Sequence, residues 1–83
     1  MERAVDLKER IKLGWDREQV RAVLGNPYVE GRELTAPSGK YAGVPISIWI
    51  YMERSEPRNA LRILFEHGLV VMVYTELNLH ETG

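Results

Sequence analysis

One stretch of the sequence alternates strictly along its length: Ile46-Ser47-Ile48-Trp49-Ile50-Tyr51-Met52-Glu53. A period of two places successive side chains on opposite faces of a β-strand. The three isoleucines and Met52 therefore share one face, and Trp49 and Tyr51 share the other. Because both faces carry large apolar groups, the sequence leaves open which of them packs on the rest of the domain.

Two further strands follow this stretch. Residues 54–59 include Pro57 and predict a turn, after which Leu61, Ile63 and Phe65 alternate with other residues. His67-Gly68 is typical of a two-residue hairpin turn, since Gly readily takes a positive φ. The last strand is predicted from Leu69 to about residue 77. Together the three strands predict an antiparallel meander.

Two helices are predicted before the strands. The first covers residues 3–13, with Gly14 directly after its end. The second begins after Asp16, an N-cap residue, and Gln19 three positions later completes a capping box. Trp15 precedes the cap and faces Val20, which is the spacing of a hydrophobic staple. The core stripe of this helix is predicted to be Val20, Val23 and Leu24, and Gly25 ends the helix.

The stretch 28–44 has no clean period and contains three glycines and Pro37. It predicts a long loop. If the loop contains a strand, that strand is short and lies near residues 31–35. The predicted fold is therefore α+β: two N-terminal helices packed on one face of a three-stranded antiparallel meander sheet, or of a four-stranded sheet if the loop adds a strand. Residues 1–83 are predicted to form a single domain.

Composition excludes several classes of function. Eleven Lys plus Arg against twelve Asp plus Glu give a formal net charge of −1, so no overall field attracts nucleic acid. The absence of cysteine excludes disulfides, Cys-ligated zinc and thiolate catalysis. The apolar runs are shorter than the ~20 residues of a transmembrane helix. We expect no nucleic-acid partner, no cofactor and no membrane insertion. The expected location is the cytoplasm if the chain is complete, or the bacterial cell envelope if a targeting segment was removed.

The segment from Ile11 to Pro27, IKLGWDREQVRAVLGNP, resembles the opening of the bacterial SmpA/OmlA (BamE-like) family, which reads roughly I-x-x-G-M-[ST]-x-x-x-V-x-x-x-L-G-x-P. Trp49 and Tyr51 are similar to the W-x-Y of the family's first strand, and residues 61–70 to its second hairpin. The resemblance covers about residues 7–74. It implies an ααβββ fold, shared with the repeats of β-lactamase inhibitory proteins, and a non-enzymatic role in binding other proteins.

The candidate binding residues are Trp49, Tyr51 and, on the loop, Tyr41. One strand offers large apolar groups to both faces of a sheet that two helices cover on one side only. Either residues 28–44 fold over the second face, or that face is a surface for a protein partner or for self-association. A small-molecule or peptide-binding domain with loop 28–44 as its lid is the alternative function.

The other polar groupings favour structural roles. Glu66-His67 and His80-Glu81 would supply four metal ligands only if the chain ends met, and nothing in their spacing brings them together, so no metal site is predicted. Neither histidine has a nucleophile at a recognised catalytic spacing, so no enzyme is predicted. Lys8, Lys12, Arg17 and Arg21 are interleaved with acidic residues, which is typical of a solvated helix face.

The staple yields a first prediction. If Trp15 packs in the core, Trp15→Ala lowers the free energy of unfolding by about 3 kcal/mol or more, because a large apolar side chain is lost. Urea denaturation measures the change. A loss below about 1 kcal/mol would show that Trp15 lies outside the core.

Overall fold

A computed structural model of the chain shows two short helices followed by a five-stranded antiparallel sheet, and describes residues 4–40, 42–53 and 59–76. The elements in chain order are α1 (Ala4–Arg10), α2 (Arg17–Leu24), β1 (Val29–Glu30), β2 (Leu34–Thr35), β3 (Pro45–Met52), β4 (Ala60–Glu66) and β5 (Leu69–Glu76).

The three long strands form the predicted meander. β4 lies between β3 and β5 and pairs antiparallel with both, with a register irregularity in β5 opposite Leu64 and Phe65. The β4–β5 hairpin turns at His67 and Gly68, which both have positive φ, as a tight two-residue hairpin turn of type I′ requires. The predicted meander and its turn are therefore present.

The predicted count of strands is wrong. The sheet has five strands instead of three or four, and it dominates a domain whose helices are only seven and eight residues long. β1 and β2 both pair with the free edge of β3. Each has two residues, which is too short for an alternating pattern to be recognised. The coarser assignment, a small α+β domain with an antiparallel sheet, is confirmed.

Gly31 allows the chain between β1 and β2 to follow β3 closely. Its N–H donates to the carbonyl oxygen of Ile48 over 3.0 Å. A Cβ at this position would lie 2.2 Å from the same oxygen, which is too close for any side chain. The φ of Gly31 is not positive, so its backbone conformation does not require glycine. The requirement comes instead from the close contact with the backbone of Ile48.

α1 ends earlier than predicted, whereas α2 begins and ends as predicted, with Asp16 as N-cap and Gly25 as C-cap. α1 ends at Arg10, before the predicted residue 13, because residues 14–16 run alongside β5 instead. There the Gly14 N–H donates to the Val70 carbonyl and the Val70 N–H donates to the Trp15 carbonyl, both over 2.8 Å. The predicted capping box of α2 is confirmed. Gln19 N–H donates to Asp16 Oδ1 over 2.9 Å, and Asp16 N–H donates to Gln19 Oε1 over 3.0 Å.

The core lies between the helices and one face of the sheet. α1 contributes Ala4 and Leu7, Ile11 follows directly after its end, and α2 contributes Val20, with Leu24 partly buried beside it. Trp15 also packs against this core, partly buried. Val23 does not: its residue is 42% exposed, so its predicted place in the core stripe is wrong. A helix of two turns presents only a narrow stripe to a sheet.

The close approach at residue 31 yields a prediction. Gly31→Ala should lower the free energy of unfolding by about 2 kcal/mol or more, because either β3 or the β1–β2 segment must move to admit the methyl group. Urea denaturation measures the loss. The matched control is Arg32→Ala at the exposed neighbouring position, which should change stability by about 0.5 kcal/mol or less. Equal losses in the two variants would contradict this packing.

Candidate functional site

The two aromatic residues of β3 lie on the helix side of the sheet. Trp49 is 2% exposed and Tyr51 is 3% exposed, and both belong to the core. The Trp49 ring meets the Phe65 ring edge to face, with centroids 4.9 Å apart. These two candidate residues are therefore not available to a partner in this fold, and the third, Tyr41, lies outside the described residues.

Two arginines of α2 complete the cover over these rings. The Arg21 guanidinium carbon lies 4.8 Å from the centroid of Trp49, and that of Arg17 lies 5.6 Å from the centroid of Phe65. Cations stack favourably on aromatic faces, and their aliphatic stems cover apolar surface. Sequence reasoning placed both arginines on a solvated face. The one available signal was their spacing of four residues, which places them on one side of a helix.

The same arginines tie α2 to the segment that carries β1 and β2. Arg17 Nη2 lies 2.8 Å from Glu33 Oε2 and also donates to Ser47 Oγ over 3.3 Å. Arg21 is ion-paired with Glu30 of β1. Both pairs are partly exposed, so each contributes little to stability, and they add side-chain contacts to a segment that already pairs with β3 through its backbone. Arg17 and Arg21 are thus engaged within the fold.

Two parts of the segment 28–44, β1 and β2, lie in the plane of the sheet instead of over it. β1 and β2 extend the sheet at the β3 edge, in register with Trp49–Ile50 and Pro45–Ile46. The sequence left open whether this loop folds over the second face of the sheet. Its strands β1 and β2 do not cover that face. Its Leu34 remains 64% exposed.

The helix-free face is the side of the sheet opposite α1 and α2. On β3, this face carries the residues that alternate with the buried Ser47, Trp49 and Tyr51. On the other strands, it carries the residues that pair directly with those of β3 or with their partners. Ala60, which pairs with Met52 on this face, is buried. The larger apolar members are Val29, Leu34, Ile46, Ile48, Ile50, Met52, Leu64, Leu69, Met72 and Tyr74. All are exposed or partly exposed, and Met72 is 50% exposed.

The shape of the domain reflects this one-sided cover. The described chain measures 38 × 33 × 17 Å, and its radius of gyration is 13.4 Å, against about 12 Å for a compact chain of this length. The short axis holds one sheet and one layer of helices, since packed layers lie roughly 10 Å apart. The helix-free face is thus a broad apolar surface on a flat molecule.

Few charges interrupt the helix-free face. Arg62 and Glu66 lie on it from β4, on either side of Leu64, and Glu76 lies at the end of β5. Arg62 Nε is 2.5 Å from Glu76 Oε2, in ion-pair contact without the alignment of a hydrogen bond. No lysine lies among the described residues of this face.

Glu53 has a structural role that the sequence did not indicate. Its Oε2 accepts a hydrogen bond of 2.7 Å from the backbone N–H of Ala4, the first residue of α1, and its Oε1 accepts one of 3.3 Å from that of Asn59. The carboxylate thereby joins the start of α1 to both ends of the β3–β4 connection. The neighbouring Glu56 lies outside the described residues.

One of the two histidines lies in the described part of the chain. His67 is in the hairpin turn, whereas His80 and Glu81 lie outside the described residues. Within the described part of the chain, no three His, Asp or Glu side chains are grouped so as to hold a metal ion.

Neither described helix has the length and apolar character needed to cross a membrane. Comparison with family models, curated proteins and solved structures found no match to this chain.

The Tyr51 hydroxyl yields a pH prediction. It donates to the Gly25 carbonyl over 2.7 Å, and burial raises the pKa of Tyr51 from 10.0 to about 12, against the opposing effect of the Arg21 charge. Between these values the unfolded chain loses the phenol proton and the folded chain keeps it. Stability is therefore complete below pH 10 and falls above it, by up to about 1.4 kcal/mol per pH unit from this group.

Tyr51→Phe separates this effect from other titrations. It should cost about 1 kcal/mol at neutral pH through the lost hydrogen bond and should then lose stability less steeply than wild type above pH 10. Urea denaturation from neutral pH to pH 11.5 measures both. Parallel pH profiles for the two proteins would contradict the assignment.

Proposed function

We propose that this chain is a non-enzymatic protein-interaction module that binds a protein through its helix-free face. The observation that carries this proposal is the contrast between the two sides of one sheet. On one side, helices and two arginines cover the aromatic rings. On the other, isoleucines, methionines, Leu64 and Tyr74 stay accessible. Exposed apolar patches of several hundred Å² on small domains mark interaction surfaces.

The chemistry of the face supports a protein partner. Its exposed residues combine Met72, Tyr74 and Arg62 with branched aliphatic side chains. Aromatic residues, methionine and arginine are enriched at the centres of protein interfaces, and lysine is depleted there. The polar groups of the opposite side, Arg17, Arg21 and the Tyr51 hydroxyl, are engaged in contacts that hold the fold together.

The resemblance of residues 11–27 to the SmpA/OmlA family supports the same class of function, since that family consists of protein-binding modules. The proposal differs in the residues that it assigns. It moves the binding surface from Trp49 and Tyr51 to the isoleucine side of the same strand, which alternation places on the opposite face.

A pair of lysine substitutions tests the proposal. Leu64→Lys places a charge at the centre of the helix-free face, and Val23→Lys places the same charge on the exposed side of α2. Each should cost the free chain about 1 kcal/mol or less, because neither side chain is fully buried. Tagged wild type and variants are used to capture proteins from extract of the source cell, with folding checked by circular dichroism.

The expected result is a protein enriched by wild type and by Val23→Lys and lost with Leu64→Lys. Equal recovery by all three folded proteins would show that binding does not use this face, and would overturn the proposal.

A further inference from the structure

The helix-free face has a middle row of apolar residues with opposite charges on either side of it. Ile48, Leu64 and Met72 lie directly opposite one another across β3, β4 and β5. On β4, Arg62 lies two residues before Leu64 and Glu66 two residues after it. All three β4 residues share the face because the strand alternates. A half turn about the middle row exchanges the positions of Arg62 and Glu66.

The neighbouring strands follow the same symmetry in their apolar residues. On β3, Ile50 lies opposite Arg62 and Ile46 lies opposite Glu66. On β5, Tyr74 lies opposite Arg62 and Leu69 lies opposite Glu66. The half turn therefore places apolar side chains against apolar side chains on both strands, and unlike charges against each other on β4.

We propose that the partner on the helix-free face is the same face of a second copy of this chain, related by a two-fold axis along the row Ile48–Leu64–Met72. In this arrangement Arg62 of each copy meets Glu66 of the other, and Leu64 meets its equivalent on the axis. This inference rests on the proposed function of the face and specifies its partner.

The area of the face suits a small dimer. Four strand positions and about seven residues of strand length give roughly 20 × 25 Å, or about 500 Å² per copy. Two copies then bury about 1,000 Å², which is the lower bound for a specific interface. Stacking turns two flat domains into a four-layer particle with helices outside and a closed apolar centre. The net charge of −1 on each copy opposes association only weakly.

The test exchanges charges between two variants. Arg62→Glu gives a chain with two acidic residues around Leu64, and Glu66→Arg gives a chain with two basic residues there. Each variant alone faces like charges across the axis, whereas a one-to-one mixture restores both unlike pairs in a heterodimer. Sedimentation velocity follows association of wild type, each variant and the mixture from about 1 μM to about 1 mM, a range set by the modest affinity of a small interface.

We expect wild type to dimerise. Each variant alone should show a dissociation constant raised about 100-fold or more, since two symmetric pairs are replaced by repulsive ones. The mixture should return to within about tenfold of the wild-type value. Glu76→Gln is the control, because Arg62→Glu also breaks the ion pair with Glu76 inside the chain. Because Glu76 lies at the end of β5, away from the middle row, its variant should raise the dissociation constant by less than about tenfold, well below the effect of Arg62→Glu.

Each other result overturns this inference. A wild type that stays monomeric throughout excludes self-association through this face, and if Leu64→Lys still loses a captured protein the proposed function stands without it. Variants that dimerise as well as wild type place the self-contact on another surface, such as the outer edge of β5. A mixture of folded variants that fails to associate overturns the two-fold arrangement.

Discussion

The edge-to-face contact between Trp49 and Phe65 decides the orientation of the whole sheet. With the ring centroids 4.9 Å apart and both side chains buried, β3 and β4 turn the same side toward the helices. Pairing then carries this choice to β5, where Val70 and Val73 point to the core. The isoleucines of β3 are left on the other side as a direct consequence, because a strand cannot turn one residue without turning all of them.

The two helices are too short to cover the isoleucine side of the sheet as well as the aromatic side. Among the described residues they supply Ala4, Leu7 and Val20 to the core, with Leu24 partly buried beside them, and α2 covers the rings with arginine side chains instead of aliphatic ones. That choice has a second effect. The guanidinium groups that stack on Trp49 and Phe65 also reach Glu30 and Glu33, so the same two residues cover the core and contact the segment that carries β1 and β2.

Local signals in the sequence predicted the parts of the fold that are set locally. The cap at Asp16, the turn at His67-Gly68 and the three long strands each follow from a few neighbouring residues. The phase of β3 could not be predicted, because isoleucine and the aromatic residues are both apolar enough for a core. The two-residue strands could not be predicted either, since their position depends on Gly31 meeting Ile48, a contact between distant parts of the chain.

The same limits explain the outcome at the candidate site. The sequence indicated that one strand carries more apolar surface than two helices can cover, and the same strand contributes the isoleucines of the helix-free face. It assigned the exposed role to Trp49 and Tyr51, which the fold buries, and gave no weight to Leu64 and Met72, whose exposure depends on strand pairing. The charges at Arg62 and Glu66 acquire a pattern only once β4 is known to be the strand between β3 and β5.

The central claim is that the aromatic side of the sheet is the core and the isoleucine side is accessible. Hydroxyl-radical footprinting of the dilute chain, with rates corrected for the intrinsic reactivity of each residue type, tests it most directly. With the aromatic side buried and the isoleucine side accessible, Leu34, Met72 and Tyr74 should be modified fast, and Trp49 and Phe65 should be strongly protected. Fast modification of Trp49 together with protection of Met72 would contradict it.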